Sequence, residues 1–383
     1  MEDWQNGGFG LYFHWPFCQS KCPYCDFNSH VSGAVDQEAW GAAFLSEIDR
    51  VSAETSGRLV QSIYFGGGTP SLMEPSLVGK ILDRVRLRWS LSNDVEITLE
   101  ANPSSVEIAK FRDFRATGVN RVSLGVQSLR EDDLRRLGRL HSVTDAKRAI
   151  DVAQSVFDRT SFDLIYARQD QTLADWECEL AEGLALANGH LSLYQLTIEQ
   201  GTAFGDRYNA GKLRGLPNDD LGADMYFLTQ DMTSAAGLPA YEVSNHARTG
   251  MESRHNQIYW RYGDYAGIGP GAHARLTVDG QKFAIDTPLA PNKWLAQVNE
   301  TGHGENTRTA LSKQDQALEY LMMGLRIGDG VTLSRITCLL DDVFYNKIKY
   351  LADDGLIETD NGRLIVTRDG RPLINAIVKD LLP

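Results

Sequence analysis

Short apolar runs alternate with stretches of helical hydrophobic spacing from residue 9 to about residue 245. Such runs indicate buried strands, and apolar residues repeated every three or four positions indicate amphipathic helices. The runs predict six strands, over residues 9–15, 62–67, 95–100, 121–126, 162–166 and 191–198. The spacing predicts helices between them, over residues 37–51, 76–88, 105–116, 144–156 and 173–186. The fold class is therefore α/β, and six βα units favour a parallel (β/α)6 partial barrel because a complete eight-unit barrel usually needs a longer chain.

The remainder of the chain divides into two further segments. Residues 246–310 are rich in Gly, Tyr, His and Arg with weak periodicity, which predicts a loop-rich connecting segment after a core barrel of residues 1–245. In a C-terminal domain of residues 311–383, a hairpin-like stretch lies among helical patterns at 313–326, 333–340, 344–352 and 371–382. Helices with a two-stranded wing resemble a winged-helix module, which we interpret as a packing or docking domain without nucleic-acid contact.

The composition is ordinary for a soluble globular protein, with 42% apolar and 23% charged residues. The net charge of −13 argues against a protein that holds nucleic acid through a broad basic surface. The N-terminal sequence lacks a basic region followed by an apolar stretch, and no run approaches the roughly 18 apolar residues that span a bilayer. We therefore expect a cytoplasmic protein whose membrane contact is at most peripheral.

Three of the five cysteines, Cys18, Cys22 and Cys25, lie within eight positions directly after the first predicted strand. This clustering suits a reducing compartment and a metal site better than a disulfide framework. Thiolates are soft ligands for zinc, which would need a fourth ligand such as His14 or His30, and for iron–sulfur clusters. Three thiolates would leave one iron of a [4Fe-4S] cubane open to a small chelating molecule. The CxxxCxxC spacing therefore favours the cubane, and a zinc-stabilised scaffold is the alternative.

The cysteine motif also carries a family resemblance. CxxxCxxC after a first barrel strand resembles the radical-SAM superfamily, and the longer string from Tyr12 through Phe27 resembles its oxygen-independent coproporphyrinogen-III-oxidase-like branch. The resemblance continues through nearly the whole chain. It implies a [4Fe-4S] cluster on the three cysteines, S-adenosylmethionine (SAM) bound beside it, and an electron donor such as a flavodoxin or ferredoxin.

Residues at the ends of the predicted strands extend the resemblance to a SAM site. The GGGTP run at residues 66–70 follows the second strand. Glycine permits positive φ and close backbone approach, so the run is expected to expose amide donors to a carboxylate, although alone it would be only a tight turn. Polar side chains end the next strands, and each alone could be a structural hydrogen-bonder. The resemblance assigns SAM binding to Tyr12, Tyr24, Gly67, Gly68, Thr69, Glu100, Gln127, Arg139 and Asp163.

One turn departs from the family pattern. The family usually follows its fifth strand with Gly-Leu-Pro, whereas this chain has Tyr-Ala-Arg-Gln-Asp at residues 166–170. The altered turn could change the floor of the SAM pocket.

A later motif bears on what the site does. Residues 255–260, HNQIYW, match the HNxxYW motif of the HemW haem-chaperone group within this branch. A neutral imidazole at His255 could bind haem iron, and the motif's Tyr and Trp offer flat apolar faces to the macrocycle. Nearby Arg254 and Arg261 could meet haem propionates. The alternative is that the motif's polar residues organise a loop while its aromatic residues pack in the core.

Two features separate this chain from the true oxidases of the branch. The oxidases carry a further cysteine two positions after the third cluster ligand, where this chain has Phe27. They also have a long segment ahead of the cluster, whereas 17 residues precede Cys18 here.

The resemblance therefore implies a haem chaperone that binds haem as cargo and passes it to acceptor haemoproteins, with radical chemistry residual or absent. Some family members suggest a homodimer. The alternative is an oxygen-independent coproporphyrinogen-III oxidase, in which a SAM-derived radical strips hydrogen from propionate side chains before decarboxylation. Whether the chain is an enzyme is left open by the sequence.

Overall fold

Eleven strands form one sheet in the computed structural model of the chain, which describes residues 2–382 apart from the side chains of residues 105 and 106. The first six strands lie side by side in chain order, and each neighbouring pair is parallel. They are β1 Phe9–Trp15, β2 Leu59–Gly67, β3 Ser90–Ala101, β4 Arg121–Gln127, β5 Arg159–Tyr166 and β6 His190–Gln195. The predicted parallel arrangement of six βα units is confirmed, and it collects the loops that follow these strands at one edge of the sheet.

The helices of this part include the five predicted stretches, together with three that the sequence analysis missed, at residues 131–136, 203–209 and 219–235. They are α1 Gln37–Glu54, α2 Pro75–Arg88, α3 Ser105–Ala109, α4 Phe111–Thr117, α5 Glu131–Arg136, α6 Val143–Val156, α7 Leu173–Leu186, α8 Ala203–Asn209 and α9 Asp219–Ala235. Capping boxes at Ser142 and Thr172 fix the first turns of α6 and α7 because their hydroxyls accept from otherwise unpaired amides. The helix predicted over residues 105–116 is divided at Lys110 into α3 and α4.

The segment predicted to be loop-rich, residues 246–310, is instead mostly regular secondary structure. Its elements are β7 Asn245–Ala247, α10 Arg254–Trp260, β8 Asp264–Ile268, β9 His273–Val278, β10 Gln281–Asp286, α11 Pro291–Thr301 and β11 Thr307–Ala310. β8 pairs in parallel with β1, and β9 to β11 extend the sheet as antiparallel strands. The apolar pattern is interrupted because charges occupy buried strand positions: fully buried Asp264 pairs with Arg58 (Oδ2–Nη1 2.7 Å) and Lys282 (Oδ1–Nζ 3.0 Å). The three-part division of the chain stays a prediction.

The last part of the chain forms a small helical unit with a three-stranded wing. Its elements are α12 Lys313–Gly324, β12 Val331–Thr332, α13 Asp342–Asp353, β13 Ile357–Asp360, β14 Arg363–Val366 and α14 Ile374–Leu381. Residues 333–340, predicted as a helix, form two 3₁₀ turns. The buried side chains of Leu321, Leu325 and Leu364 belong to an apolar cluster of this unit. It is distinct from the large core, which packs the sheet against α1 to α4, α6, α7, α9 and α11. No helix within residues 2–382 has the length and apolar character needed to cross a membrane.

Candidate functional site

A cavity of about 1030 Å³ opens at the edge of the sheet where the parallel strands end. Eleven of the twelve residues predicted for the cluster and SAM line it: Cys18, Cys22, Tyr24, Cys25, Gly67, Gly68, Thr69, Glu100, Gln127, Arg139 and Asp163. Tyr12 does not line this cavity, and His255 lines a second one. Because parallel strands bring their carboxyl ends together, residues more than 100 positions apart meet here.

The three clustered thiols lie on the loop that joins two short paired strands, Phe17–Cys18 and His30–Val31. Thr69 Oγ1 donates to Cys18 Sγ at 3.3 Å, and Arg139 Nη1 donates to Cys22 Sγ at 3.1 Å. Burial raises the pKa of the Cys18 and Cys25 thiols, so a metal must displace their protons to bind. Half-buried thiols beside a guanidinium form a donor set that fits an anionic iron–sulfur cluster.

The histidines suggested as a fourth zinc ligand already have hydrogen-bond partners. His14 contacts the Tyr12 hydroxyl through Nδ1 (3.1 Å) and the Asn28 carbonyl through Nε2 (3.0 Å), and His30 Nε2 lies 3.0 Å from Asn28 Oδ1. Across residues 2–382, no three His, Cys, Asp or Glu side chains are grouped so as to hold a metal ion. The fit of the loop to a cluster therefore depends on its donor chemistry and surroundings.

The glycine run does not offer the amide donors that the sequence predicted. The amide of Gly67 donates to Glu100 Oε2 (3.2 Å), that of Gly68 to the Trp15 carbonyl (2.7 Å), and that of Thr69 to the Phe17 carbonyl (2.9 Å). This expectation was wrong because the run packs directly against the end of β1. Gly67 has φ +112°, and a Cβ at Gly68 would lie 2.8 Å from backbone atoms of residues 16 and 17. The carbonyl oxygens of the run still carry lone pairs, which suit an ammonium group better than a carboxylate.

Arg139 connects the cysteine loop to the ends of two strands. Besides Cys22, its guanidinium donates to Asn102 Oδ1 (2.6 Å) and to the Gly125 carbonyl (2.8 Å). Its Nε is buried and has no partner among residues 2–382, so the site retains a donor for an anionic ligand. Asn102, which the sequence analysis missed, also donates to Thr69 Oγ1 at 3.1 Å. Its position in LEANP, two residues after Glu100, was the available signal.

Two of the carboxyl groups that line the cavity belong to β3 and β5. Glu100 accepts from the Tyr64 hydroxyl at 2.8 Å, and Asp163 lies beside Ser192 and Gln127. Burial raises the pKa of Glu100 to about 7 and that of Asp163 to about 6. Gln127 adopts φ +72° where the pairing of β4 with β5 shifts register, and this turns its side chain into the cavity. These groups are suited to the hydroxyl and ammonium groups of a ligand.

Tyr12 lies in a stack of aromatic rings beside the cavity. Its ring is 6.1 Å from that of Tyr64 and 5.7 Å from that of His255, and the Tyr64 and His255 rings are 4.6 Å apart. Burial lowers the pKa of His255 to about 4, so the imidazole is neutral at physiological pH. Its Nδ1 is buried and has no partner among residues 2–382.

The remaining residues of the HNxxYW segment contribute to local structure, to the lining of a second cavity, or to both. Asn256 is bonded to Ser253 at the start of α10 and also lines the second cavity. Ile258 is in the core, whereas Tyr259 and Trp260, which the packing interpretation placed there, are only partly buried. His255, Tyr259 and Trp260 line this second cavity of about 480 Å³, which lies within the roughly 300–1,000 Å³ typical of ligand sites. Five residues line both cavities: Tyr194, Val243, Ser244, Ile374 and Asn375.

The altered turn after β5 is anchored behind the cavity. Arg168 is 3% exposed and pairs with Asp133 (2.8 Å) and Glu179. Glu179 in turn accepts from the Ser128 hydroxyl and the Leu129 amide, each at 2.7 Å. The turn therefore supports the backbone that follows Gln127.

Replacing Glu100 by Gln should change how stability depends on pH. The folded chain holds the Glu100 proton more tightly than the unfolded chain, so wild-type protein loses stability as pH rises from about 4.5 to about 7. Without SAM, the free energy of unfolding of Glu100→Gln should therefore gain about 2–3 kcal/mol on the wild type over that interval, since each unit of difference between the folded and unfolded pKa is worth ~1.4 kcal/mol. Denaturant titrations at several pH values measure this. The exposed Glu300→Gln variant is the control, and parallel pH profiles for Glu100→Gln and wild type would contradict the assignment.

Comparisons with known proteins agree with this geometry. Residues 12–178 match the radical SAM superfamily, and residues 311–373 match the HemN C-terminal domain. The chain is 36% identical to the heme chaperone HemW of Escherichia coli (strain K12), over 96% of this chain and 97% of that protein. It is 38% identical to the mitochondrial radical S-adenosyl methionine domain-containing protein 1 of Mus musculus, over 97% of this chain and 87% of that protein.

A solved structure of coproporphyrinogen III oxidase (HemN) from Escherichia coli superposes with a TM-score of 0.81 at 24% identity, covering 98% of this chain and 92% of that one. At that identity the likeness is one of fold. The sequence relatives are closer and nearly full-length. The chain therefore belongs to the radical-SAM superfamily, within the family that includes HemW and the mitochondrial radical S-adenosyl methionine domain-containing protein 1.

Proposed function

We propose that this chain is a haem chaperone of the HemW type, which binds haem and delivers it to acceptor haemoproteins. Radical-SAM membership implies a [4Fe-4S] cluster and SAM, and several relatives carry the name heme chaperone HemW. The observation that carries the proposal is the second cavity, where a neutral, half-buried imidazole at His255 lines a space that adjoins the cavity of the cysteine loop. Neutral imidazole is a common haem ligand.

Cys18, Cys22 and Cys25 would hold the cluster, which, when bound, supplies one-electron chemistry toward SAM. Arg139 would offset the negative charge of the thiolates, since its Nη1 lies 3.1 Å from Cys22 Sγ. The hydroxyl of Thr69 would donate to Cys18 and limit its motion. These contacts would keep the cysteine loop at the mouth of the cavity.

SAM would be bound by Tyr24, Gly67, Gly68, Thr69, Glu100, Gln127, Arg139 and Asp163, which surround one cavity. The carboxylates of Glu100 and Asp163 would accept from hydroxyl or ammonium groups, and the unpartnered Nε of Arg139 could donate to a carboxylate. Tyr12 would act indirectly, because its hydroxyl contacts His14 and its ring packs on His255.

In the second cavity, His255 would provide the haem ligand while Tyr259 and Trp260 contact the macrocycle. Acceptor haemoproteins, a flavodoxin or ferredoxin as electron donor, a homodimer and a cytoplasmic location remain predictions from the family resemblance. Contact with nucleic acid is not expected.

The oxidase is the second candidate, and the fold likeness to coproporphyrinogen III oxidase favours it. Against it, Phe27 occupies the position of the oxidases' further cysteine, and its side chain is 60% exposed at the cavity that holds the cysteines. Purified protein with coproporphyrinogen III, SAM and a reductant under anaerobic conditions should therefore give no decarboxylated product by mass spectrometry. Product formed at catalytic turnover would make the oxidase the preferred function.

Serine at each of the three clustered cysteines should abolish the cluster. Anaerobic reconstitution of the wild type should give about four irons and four sulfides per chain, and each variant should fall well below that. Cys178→Ser and Cys338→Ser are matched controls, because both thiols are exposed on other elements. Zinc without sulfide in the wild type, or an intact cluster in the triple variant, would contradict the assignment.

Replacing His255 by Ala should weaken haem binding. Loss of the iron ligand should shift the Soret band and raise the haem Kd by about tenfold or more, measured by absorbance titration. His303→Ala removes an exposed imidazole and should leave both unchanged. Equal affinity and an unshifted Soret band in His255→Ala would remove His255 from the haem site.

A further inference from the structure

Two arginines of the C-terminal unit reach the region where the two cavities adjoin. Arg326, just after α12, lines the second cavity together with His255, Tyr259 and Trp260 of the HNxxYW motif. Arg371, in the 3₁₀ turn before α14, lines the large cavity. They are in contact, since Arg371 Nη1 donates to the Arg326 carbonyl at 3.1 Å. Neighbouring Ile374 and Asn375 line both cavities.

Within residues 2–382, neither guanidinium has a carboxylate partner. Arg326 donates to the Met322 carbonyl and to Asn375 Oδ1 (3.0 Å), both neutral acceptors. Arg368, three residues before Arg371, instead pairs with Asp231 at 2.6 Å. Burial lowers the pKa of both Arg326 and Arg371, yet a guanidinium stays protonated at neutral pH. Partly buried cations without a counter-charge are costly, so this pair is suited to an anionic ligand.

The acidic group nearest to this pair is also accounted for. Glu242 lines the second cavity, is 2% exposed and accepts from the Asn245 amide. Among the described residues Glu242 forms no ion pair with either guanidinium, and its charge acts on Arg371 only from a longer distance. The guanidinium groups therefore remain available to a ligand.

The two arginines expected from sequence to meet haem propionates are already paired. Arg254 forms an ion pair with Asp94, and Arg261 with Asp329 at 2.8 Å. Neither lines the second cavity. These two arginines were expected at the haem site because they flank the HNxxYW motif in sequence. In the structure, their positions at the two ends of α10 place them beside Asp94 and Asp329 instead.

We infer that Arg326 and Arg371 bind the propionate carboxylates of the tetrapyrrole whose iron is held by His255. This inference rests on the proposed haem-binding function and adds the C-terminal unit to the haem site. Guanidinium binds carboxylate through paired, charge-assisted hydrogen bonds. The imidazole on one wall and the guanidinium pair on the other would hold the macrocycle by its metal and by its acidic edge.

Haem titrations of Arg326→Gln and Arg371→Gln test the inference. Each should raise the haem Kd about tenfold through loss of a charge-assisted hydrogen bond, while the Soret position at saturation stays that of the wild type because His255 still binds iron. Arg368→Gln makes the same charge change beside Arg371 and should bind haem like the wild type. Full-length protein with its cluster reconstituted is used throughout.

A second measurement leaves the chain unaltered and so does not depend on the variants folding. Haem with both propionates methylated should bind the wild type about tenfold more weakly than haem, and should be insensitive to Arg326→Gln. The inference would be overturned if the methylated haem bound the wild type as tightly as haem does. It would also be overturned if Arg326→Gln and Arg371→Gln bound haem with the same affinity as Arg368→Gln. Weaker SAM binding with unchanged haem affinity would also overturn it and assign the pair to SAM. If His255→Ala bound haem as tightly as the wild type, the proposed haem site itself would be contradicted. That result is distinguishable from a failure of the arginine inference alone.

Discussion

The contact of Arg139 with the cysteine loop is the interaction on which the candidate site depends. Three thiols share one cavity with several carboxyl groups, Glu100 and Asp163 among them, and ionising them together in a partly buried space would be strongly unfavourable without a cation. Arg139 supplies that charge at Cys22 and fixes its own position through Asn102 and Gly125. One side chain thus balances charge and sets the distance between the loop and the strands.

A second buried cation, Arg121, connects the two cavities electrostatically. It is 3% exposed at the start of β4, and its guanidinium donates to Ser161 Oγ at 2.8 Å. Its charge opposes the rise in the pKa of Glu100 and adds to the fall in the pKa of His255. The same cation therefore favours an ionised carboxylate at Glu100 in the large cavity and a neutral imidazole at His255 in the second cavity. Both states are those that the proposed roles require.

The sequence predicted β1 to β6 well because their residues are buried on both faces and read as continuous apolar runs. Eleven of the residues that the family resemblance assigned to the cluster and SAM line the large cavity, which agrees with the common edge at which parallel strands end. Their binding roles stay predictions. The prediction of strands failed where burial is polar: Asp264 and Lys282 break the apolar pattern of the strands after residue 260. The sequence also could not predict which arginines form ion pairs. Arg261, next to the HNxxYW motif in sequence, pairs with Asp329, whereas Arg326, near the motif only in space, lines the second cavity without a carboxylate partner among the described residues.

The shared wall between the cavities bears on how a haem carrier would use a cluster and SAM. Five residues face both spaces, and two of them, Ile374 and Asn375, belong to the start of α14. A ligand that prefers one arrangement of this wall must, by linkage, change the affinity of the neighbouring cavity, and the effect is equal in both directions. The stacked rings of Tyr12, Tyr64 and His255 offer a second connection, since Tyr64 also donates to Glu100. On the proposed function, linkage through this wall would let a ligand of the large cavity change the haem affinity of the second cavity through packing, without any radical reaction on the haem.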